Sequence, residues 1–314
     1  MPGPIDTLYA NAEQGSDYHV PVLFKECMDA LEIKPDGVYV DCTFGGGGHS
    51  RGILQKLSPS GRLVAFDQDP DAERNLPDDG RLTFVRQNFI HLHRYLRLYG
   101  HEGVDGLLAD LGVSSHQFNE GGRGFSYRFD ALLDMRMDTG QPFTAATILN
   151  EYDAPALQQM LSRFGEVTNA KTLAGVIVEK RGGSGFRTIA DLLQVLQPLS
   201  KGNPQRYFAQ VFQALRIEVN NELGVLKGLL EQLPKVMKPG GRVAIITFHS
   251  LEDRIVKQFF KDGGFEGEAD PIYGRKAKSP FRLVNKKPIE AGAEELKKNV
   301  RARSARLRVA EFNG

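Results

Sequence analysis

A short run of apolar, β-branched residues passes directly into four glycines, and this feature limits the fold most strongly. Residues 38–50 read Val-Tyr-Val-Asp-Cys-Thr-Phe-Gly-Gly-Gly-Gly-His-Ser. The run predicts a buried strand and a tight turn, because glycine tolerates positive φ and carries no Cβ. Residues 50–57 continue as the first turns of a helix whose free amides face the same spot. The stretch therefore predicts a turn that holds a nucleotide-like ligand.

A second apolar run, residues 62–67, ends in a carboxylate. In dinucleotide-binding sheets, an acid about 20 residues after the glycines holds the ribose hydroxyls. The spaced Gly-x-Gly-x-x-Gly pattern of a pyrophosphate site is missing, so a cofactor without phosphates fits better. For S-adenosyl-L-methionine, Asp41 would meet the ammonium group, the glycines would admit the methionine arm and Asp67 would hold the ribose. A glycine-rich turn without a ligand is the alternative.

Composition limits the class of protein. The chain has 314 residues, 41% of them hydrophobic, which is enough for one large domain or two modest ones. We expect a cytoplasmic protein without a membrane span or secretory signal, because no long apolar run exists.

The two cysteines, Cys27 and Cys42, are expected to be small buried hydrophobes. His91, His93 and His101 lie in a basic amphipathic segment without a complete ligand set, so we predict no metal.

Residues 82–87 predict a third strand, after which Phe89 would pack on an adenine or belong to the core. Residues 104–112 predict a fourth strand with Asp110 near its carboxyl end, where ligands bind in open parallel sheets. An exocyclic amine on a base is a poor nucleophile, since its lone pair is delocalised into the ring. Asp110 would accept a hydrogen bond from such an amine and help to remove its proton as a methyl group arrives. Alternatively, Asp110 caps the next turn.

The alternation of strands and helices stops after residue 121, and residues from 130 to 215 contain several helix-like segments. The strand pattern returns at residues 235–249. We predict an α/β, Rossmann-like class I S-adenosylmethionine-dependent methyltransferase sheet formed by residues 1–125 and 216–314. Residues 126–215 are expected to form an inserted helical domain that recognises the substrate.

His249 follows the fifth predicted strand, where it would contact a target base or cap a helix beside Ser250. The following tract, residues 275–308, is rich in lysine and arginine, which is typical of a phosphate-contacting surface. Residues 305–310 predict a final strand at the sheet edge with its arginines directed outward.

Five segments together resemble the MraW family of bacterial ribosomal RNA methyltransferases. They are residues 19–23 (His-Val-Pro-Val-Leu), 41–50, 110–117 (Asp-Leu-Gly-Val-Ser-Ser-His-Gln), 248–254 (Phe-His-Ser-Leu-Glu-Asp-Arg) and 299–308. The resemblance covers nearly the whole chain, from His19 to Ala310. It implies methyl transfer from S-adenosyl-L-methionine to N4 of a cytosine in the decoding region of 16S ribosomal RNA, within the small ribosomal subunit. No obligate protein partner is evident, and a homodimer stays open.

The resemblance also implies roles for individual residues. The cofactor contacts would be Gly47, Gly48, His49, Asp67, Phe89, Asp110 and Gln117. Separately from the resemblance, Asp110 is the predicted catalytic residue, and contacts to the RNA are expected from Ser114, Ser115, His249, Arg301 and Arg303.

Other classes of protein fit the sequence less well. A nicotinamide dehydrogenase would need the spaced glycines, and a noncatalytic RNA-binding protein would leave the predicted crevice unused. Methylation of a cytosine ring carbon usually needs a cysteine nucleophile, whereas neither cysteine follows the fourth strand. A small-molecule N-methyltransferase would not need the basic tract, and tight, salt-sensitive RNA binding would argue against it.

Overall fold

A computed structural model of the chain describes residues 21–114, 117, 121–183, 185–265 and 279–314. Contacts divide the chain into two compact units. The sheet unit comprises Met1–Gly112 and Val225–Gly314, and the helical unit comprises Val113–Gly224. Within the described ranges, every helix is too short or too polar to span a bilayer.

The sheet unit contains a mixed sheet of seven strands in the order β3-β2-β1-β4-β5-β7-β6. The first five strands in this order are parallel, and β7 is antiparallel to both of its neighbours. The strands are β1 (Val38–Asp41), β2 (Arg62–Phe66), β3 (Leu82–Val85), β4 (Val104–Asp110), β5 (Met237–Thr247), β6 (Phe281–Leu283) and β7 (Arg306–Phe312).

Helices cover both faces of this sheet, so its central strands are apolar on both sides. Val40 and Leu107 belong to the core on one face, whereas Tyr39 and Leu108 belong to the core on the other. The α-helices are α1 (Phe24–Ala30), α2 (Gly48–Lys56), α3 (Leu92–Leu98), α9 (Glu222–Val236), α10 (Ser250–Asp262) and α11 (Ala293–Lys298). Short 3₁₀ helices span Pro70–Asn75, Phe89–His91 and Val300–Ser304. Because both faces of the central strands are buried, their sequences are continuous apolar runs and do not alternate between apolar and polar residues.

The helical unit has a separate apolar core. Its helices are α4 (Ala145–Glu151), α5 (Ala154–Gly165), α6 (Ala170–Lys180), α7 (Ile189–Leu199) and α8 (Pro204–Asn220), and a 3₁₀ helix spans Gly121–Arg123. Side chains at the helix starts define these boundaries: Thr144 and Thr188 form capping boxes, and Asp153 caps α5. Local sequence signals therefore set these helices almost residue by residue.

The helical unit is longer than the predicted insert of residues 126–215. Phe125 belongs to its core and Val113 packs against that core. At the other end, α8 continues without a break to Asn220. These contacts explain why the division falls at Gly112 and Gly224.

The prediction for the final strand was wrong in two respects. β7 lies between β5 and β6 and is not the edge strand. Arg308 does not point outward but is buried, 4% exposed. The edge strand β6 has only three residues and was not recognised, because so short a run carries little pattern.

Candidate active site

The carboxyl ends of β1 and β4 lie side by side at the point where the strand order reverses. In open α/β sheets this switch point is where ligands bind. Asp41 ends β1 and Asp110 ends β4. Thr43 joins the two ends, because its hydroxyl accepts a hydrogen bond from the Asp110 amide at 2.7 Å. Both predicted carboxylates thus occupy the same edge of the sheet.

Asp41 anchors the glycine turn. It is 1% exposed, its Oδ2 accepts a hydrogen bond from the Ser50 hydroxyl at 2.7 Å, and its Oδ1 accepts one from the Thr43 amide at 3.0 Å. Burial raises the pKa of this carboxyl, and the hydrogen bonds oppose that shift. Asp41 therefore ties the end of β1 to the first turn of α2, and its contact with an ammonium group stays a prediction.

The glycine turn is fixed by backbone contacts. The Gly45 amide donates to Asp67 Oδ2 at 2.7 Å, and Arg51 donates to the Gly46 carbonyl at 2.6 Å. Gly47 precedes α2 with a φ of 74° and supplies no side-chain cap. A Cβ on Gly46 would meet nothing within 4 Å. The turn is therefore rigid, with open space beside Gly46 and uncapped helix amides just beyond it.

His49 lies against Asp110. Its Nε2 is 3.1 Å from the Val22 carbonyl, and its Nδ1 is 3.8 Å from Asp110 Oδ2. Burial lowers the pKa of His49 to about 4, so the imidazole is neutral at physiological pH. With Nε2 donating to Val22, the Nδ1 lone pair faces the carboxyl group of Asp110.

Asp110 is the most perturbed carboxyl group of this edge. Its Oδ1 is buried and has no hydrogen-bond partner among the described residues. Burial and, to a smaller extent, the negative charges of Asp41 and Glu252 together raise its pKa to about 8. Ionisable groups with such shifts, placed in a crevice, are typical of functional sites.

Asp67 follows β2, and its two oxygens accept hydrogen bonds from the amides of Gly45 and Asp69. Burial raises its pKa to about 6. The next strand, β3, is followed by Asn88, whose amide donates to the Gln68 side chain at 2.8 Å. Phe89 then opens a 3₁₀ helix and is half-buried against the core. The ends of β2 and β3 are thus tied together at the predicted ribose and adenine positions.

His249 lies just beyond β5 and caps α10. The position of His249 beyond the fifth strand and its role as a helix cap were both predicted from the sequence and are observed. Its contact with a target base stays a prediction. Its Nδ1 accepts a hydrogen bond from the Glu252 amide at 3.4 Å. Glu252 is 2% exposed and its Oε2 accepts one from the Phe248 amide at 2.9 Å.

The sequence did not reveal the buried ion pair of Arg308 and Asp253. Arg308 donates to both Asp253 oxygens, at 2.6 and 3.0 Å, and both side chains are buried. The pair joins β7 to the first turn of α10. In the sequence, the only signs of this pair are the consecutive acids Glu252 and Asp253 after a strand and the arginine in the alternating run of residues 305–310. Such a pattern is equally typical of charges exposed to solvent.

The other predicted residues are distributed over both units. In the helical unit, Ser114 and Gln117 bond reciprocally, with side chain to amide distances of 3.0 and 3.1 Å. Ser115 lies outside the described residues. In the sheet unit, Arg301 and Arg303 belong to the 3₁₀ helix before β7, and Arg303 is exposed. That helix precedes the β7 end that pairs with Thr247, so both arginines lie at the same sheet edge as Asp110.

The site fits a cationic, phosphate-free cofactor. Four carboxyl groups, those of Asp41, Asp67, Asp110 and Glu252, lie at or just beyond the strand ends. The charge of Asp41 contributes to the raised pKa values of Asp67 and Asp110, and the charge of Glu252 contributes to that of Asp110. A sulfonium or ammonium group would relieve this repulsion. The unpartnered Asp110 oxygen and the open space beside Gly46 leave room for a ligand at that edge.

The strand order, the glycine turn and the acidic strand ends define a Rossmann-like class I methyltransferase, with S-adenosyl-L-methionine as its cofactor. More particularly, the chain belongs to the MraW methylase family, whose model matches residues 16–313.

Curated relatives match along almost their whole length. The ribosomal RNA small subunit methyltransferase H of Parabacteroides distasonis is 53% identical over 301 residues, covering 95% of this chain and 99% of the relative. The protein of the same name from Phocaeicola vulgatus is 51% identical over 295 residues, covering 94% and 97%. Among solved structures, an rRNA methylase from Streptococcus thermophilus aligns with a TM-score of 0.41 at 13% identity, covering 95% of this chain and 100% of that one.

Proposed function

We propose that this protein methylates N4 of a cytosine in the decoding region of 16S ribosomal RNA, within the small ribosomal subunit. The observation that carries the reaction type is the buried, unpartnered Oδ1 of Asp110 at the switch point of the sheet. The RNA substrate is supported by the names of the curated relatives, which are ribosomal RNA small subunit methyltransferases.

Different side chains of the site would take separate parts in such a reaction. Bound S-adenosyl-L-methionine supplies an electrophilic methyl group. The glycine turn, Asp67 and Phe89 would hold the cofactor in the crevice, and Gln117 is proposed as a further contact. Asp110 would accept a hydrogen bond from the exocyclic amine, which aligns the nitrogen lone pair with the methyl group.

Asp110 also suits the removal of a proton. The amine carries two hydrogens, and one must leave when the nitrogen gains a methyl group. A carboxylate with a pKa near 8 is a stronger base than an exposed aspartate, so it holds that proton more readily. The neutral His49 ring beside Asp110 adds no positive charge that would weaken this base.

Contacts with the RNA are proposed for Ser114, Ser115, His249, Arg301 and Arg303, and for the helical unit as the domain that recognises the substrate. Arg303 is exposed at the edge of the sheet that carries Asp110. A guanidinium group there would bind backbone phosphates and position the RNA without reading its sequence.

The test is methyl transfer from labelled S-adenosyl-L-methionine to small ribosomal subunits from cells that lack the protein, followed by nucleoside analysis and mapping of the label. We expect label in N4-methylcytidine at a single position. Label in 5-methylcytidine would contradict the proposed atom. No label in RNA, with cofactor binding intact, would point to a protein or small-molecule acceptor.

The same assay tests Asp110. Asp110→Ala is expected to keep the fold and to bind subunits but to lose methyl transfer by about 100-fold or more at saturating cofactor, because the acceptor for the amine is gone. A fully active Asp110→Ala protein would remove this residue from the mechanism.

A further inference from the structure

His249 has a buried nitrogen without a hydrogen-bond partner. Its side chain is 7% exposed, and no described residue accepts a hydrogen bond from its Nε2. The Nδ1 atom accepts from the Glu252 amide, so the single proton of a neutral ring lies on Nε2. Glu252 Oε1 is 3.2 Å from Nε2, but the geometry forms no hydrogen bond. His249 thus presents a buried donor.

This donor lies on the strand end next to Asp110. Asp110 pairs with Ile246 across β4 and β5, and the Leu111 amide donates to the Ile246 carbonyl at 3.1 Å. Phe248 passes close to Gly112, where an added Cβ would lie 3.5 Å from its ring. Neighbouring strand ends therefore carry one buried donor, His249 Nε2, and one buried acceptor, Asp110 Oδ1.

Buried contacts set the position of the donor in advance. Glu252 Oε2 holds the Phe248 amide, and the Arg308–Asp253 pair fixes the same first turn of α10 to β7. A buried ion pair is costly to form and contributes little net stability, so conformational specificity is one reason for its presence. Here it would keep His249 in one orientation.

We propose that His249 and Asp110 together read the edge of the target base. Asp110 Oδ1 would accept from the exocyclic amine, while His249 Nε2 would donate to the adjacent ring nitrogen. This inference rests on the proposed function and adds the selection of the base to it.

The polarity of this pair selects among bases. Cytosine presents an amine next to the ring acceptor N3, which complements an acceptor next to a donor. Uracil presents a carbonyl next to N3–H, the reverse order, and would leave both buried protein groups unpaired. Sites with such groups discriminate strongly, because an unpaired buried polar group is unfavourable.

The test uses 3-deazacytidine, in which C–H replaces N3 while the amine is kept. Small subunits are reconstituted with RNA that carries cytidine or 3-deazacytidine at the mapped position, and kcat/KM is measured with both. For the wild-type protein we expect a fall of about 10- to 100-fold on the analogue, the effect of one lost hydrogen bond to a buried donor.

His249→Phe separates this contact from the altered reactivity of the analogue. On cytidine subunits, the kcat/KM of His249→Phe should fall by a similar factor. Its kcat/KM values for cytidine and 3-deazacytidine subunits should differ by less than about threefold, because the variant has no donor to lose. His249→Gln, which keeps an N–H, should restore part of the discrimination. The melting temperature and cofactor binding of each variant are measured alongside.

Two results would overturn the inference. One is a wild-type protein that methylates both substrates equally fast, a result that needs no folded variant. The other is a His249→Phe protein that discriminates as strongly as wild type. In both cases cytidine subunits still acquire N4-methylcytidine, so the proposed function survives. If wild type produces none, the proposed function itself fails.

Discussion

At the scale of single residues, Asp110 shows a conflict between stability and function. Burial, together with the nearby charges of Asp41 and Glu252, raises the pKa of its carboxyl group to about 8. The pKa of this carboxyl group is about 3.8 in the unfolded chain, so between pH 4 and 8 the folded protein binds one proton that the unfolded chain does not. Folding stability therefore falls as the pH rises from about 4 to about 8.

Because of this conflict, Asp110→Asn should raise the melting temperature above pH 8, with a gain that shrinks towards pH 5. Asp105→Asn is the matched control, since Asp105 lies on the same strand but pairs with Lys34 and Lys238. Thermal unfolding across this pH range measures both. A gain for Asp110→Asn that is independent of pH would contradict the assigned pKa.

The same pKa predicts the pH profile of the reaction. If ionised Asp110 is the required acceptor, kcat/KM for the cofactor rises tenfold per pH unit below about 8 and levels off above it. His49 stays neutral throughout, so it adds no second step above pH 5. Steady-state kinetics from pH 5.5 to 9 measure this, and a profile that is flat between pH 6 and 8 would contradict it.

Site residues that directly follow strands were predictable from the sequence. Asp41, Asp67 and Asp110 each end a strongly apolar run, so both their presence and their common edge were predictable. Glu252 and Arg308 were not. A buried charge is recognised by its partner across the fold, and no local pattern separates it from a solvated one.

At the scale of elements, the glycine turn depends on one backbone conformation. Gly47 has a φ of 74°, and a Cβ there would approach the Phe44 ring to 2.8 Å. Gly47→Ala should reduce the free energy of unfolding by about 1–3 kcal/mol and weaken cofactor binding. Gly46→Ala should leave stability unchanged, as its Cβ would enter open space. Urea unfolding of both variants tests this, and equal stabilities would contradict it.

The connection between β7 and α10 makes a second prediction. Asp253→Ala leaves Arg308 buried opposite no strong partner, and breaking a buried pair costs about 3–5 kcal/mol. The double variant Asp253→Leu/Arg308→Leu should recover much of that loss, because it buries no charge. Denaturant unfolding gives the free energies. Recovery of stability together with slower methyl transfer would support the orienting role of the pair.

Elements were predictable where the signal was local. The helices of the insert follow from their caps and apolar spacing, and α2 begins at the predicted turn. The place of β7 between β5 and β6 depends on pairing between residues far apart in the chain. Its sequence shows a strand but not its neighbours, which is why the predicted sheet edge was wrong.

At the scale of the whole molecule, the net charge of +1 conceals an uneven distribution. Exposed arginines and lysines follow β6 and precede β7, at the edge that carries Asp110. If this edge contacts RNA phosphates, Arg303→Glu should weaken subunit binding and reduce the slope of log K against log salt by about 1. Cofactor affinity should not change.

Arg97→Glu provides the matched control. Arg97 is exposed on α3, close to its C-terminal end, which leads back to the start of β4 at the opposite edge. Binding of labelled small subunits between 50 and about 200 mM salt would distinguish the variants. Equal losses for Arg97→Glu and Arg303→Glu would indicate general charge attraction without a defined surface.

The position of β7 has a consequence for synthesis of the protein. β7 emerges from the ribosome after the six strands it joins, yet it lies between two of them. Until then β5 has an unpaired edge, and Asp253 at the start of α10 lacks the arginine that neutralises it. A nascent chain that ends before Arg306 would therefore hold an incomplete crevice. The fold therefore delays a working catalyst until the ribosome has synthesised β7.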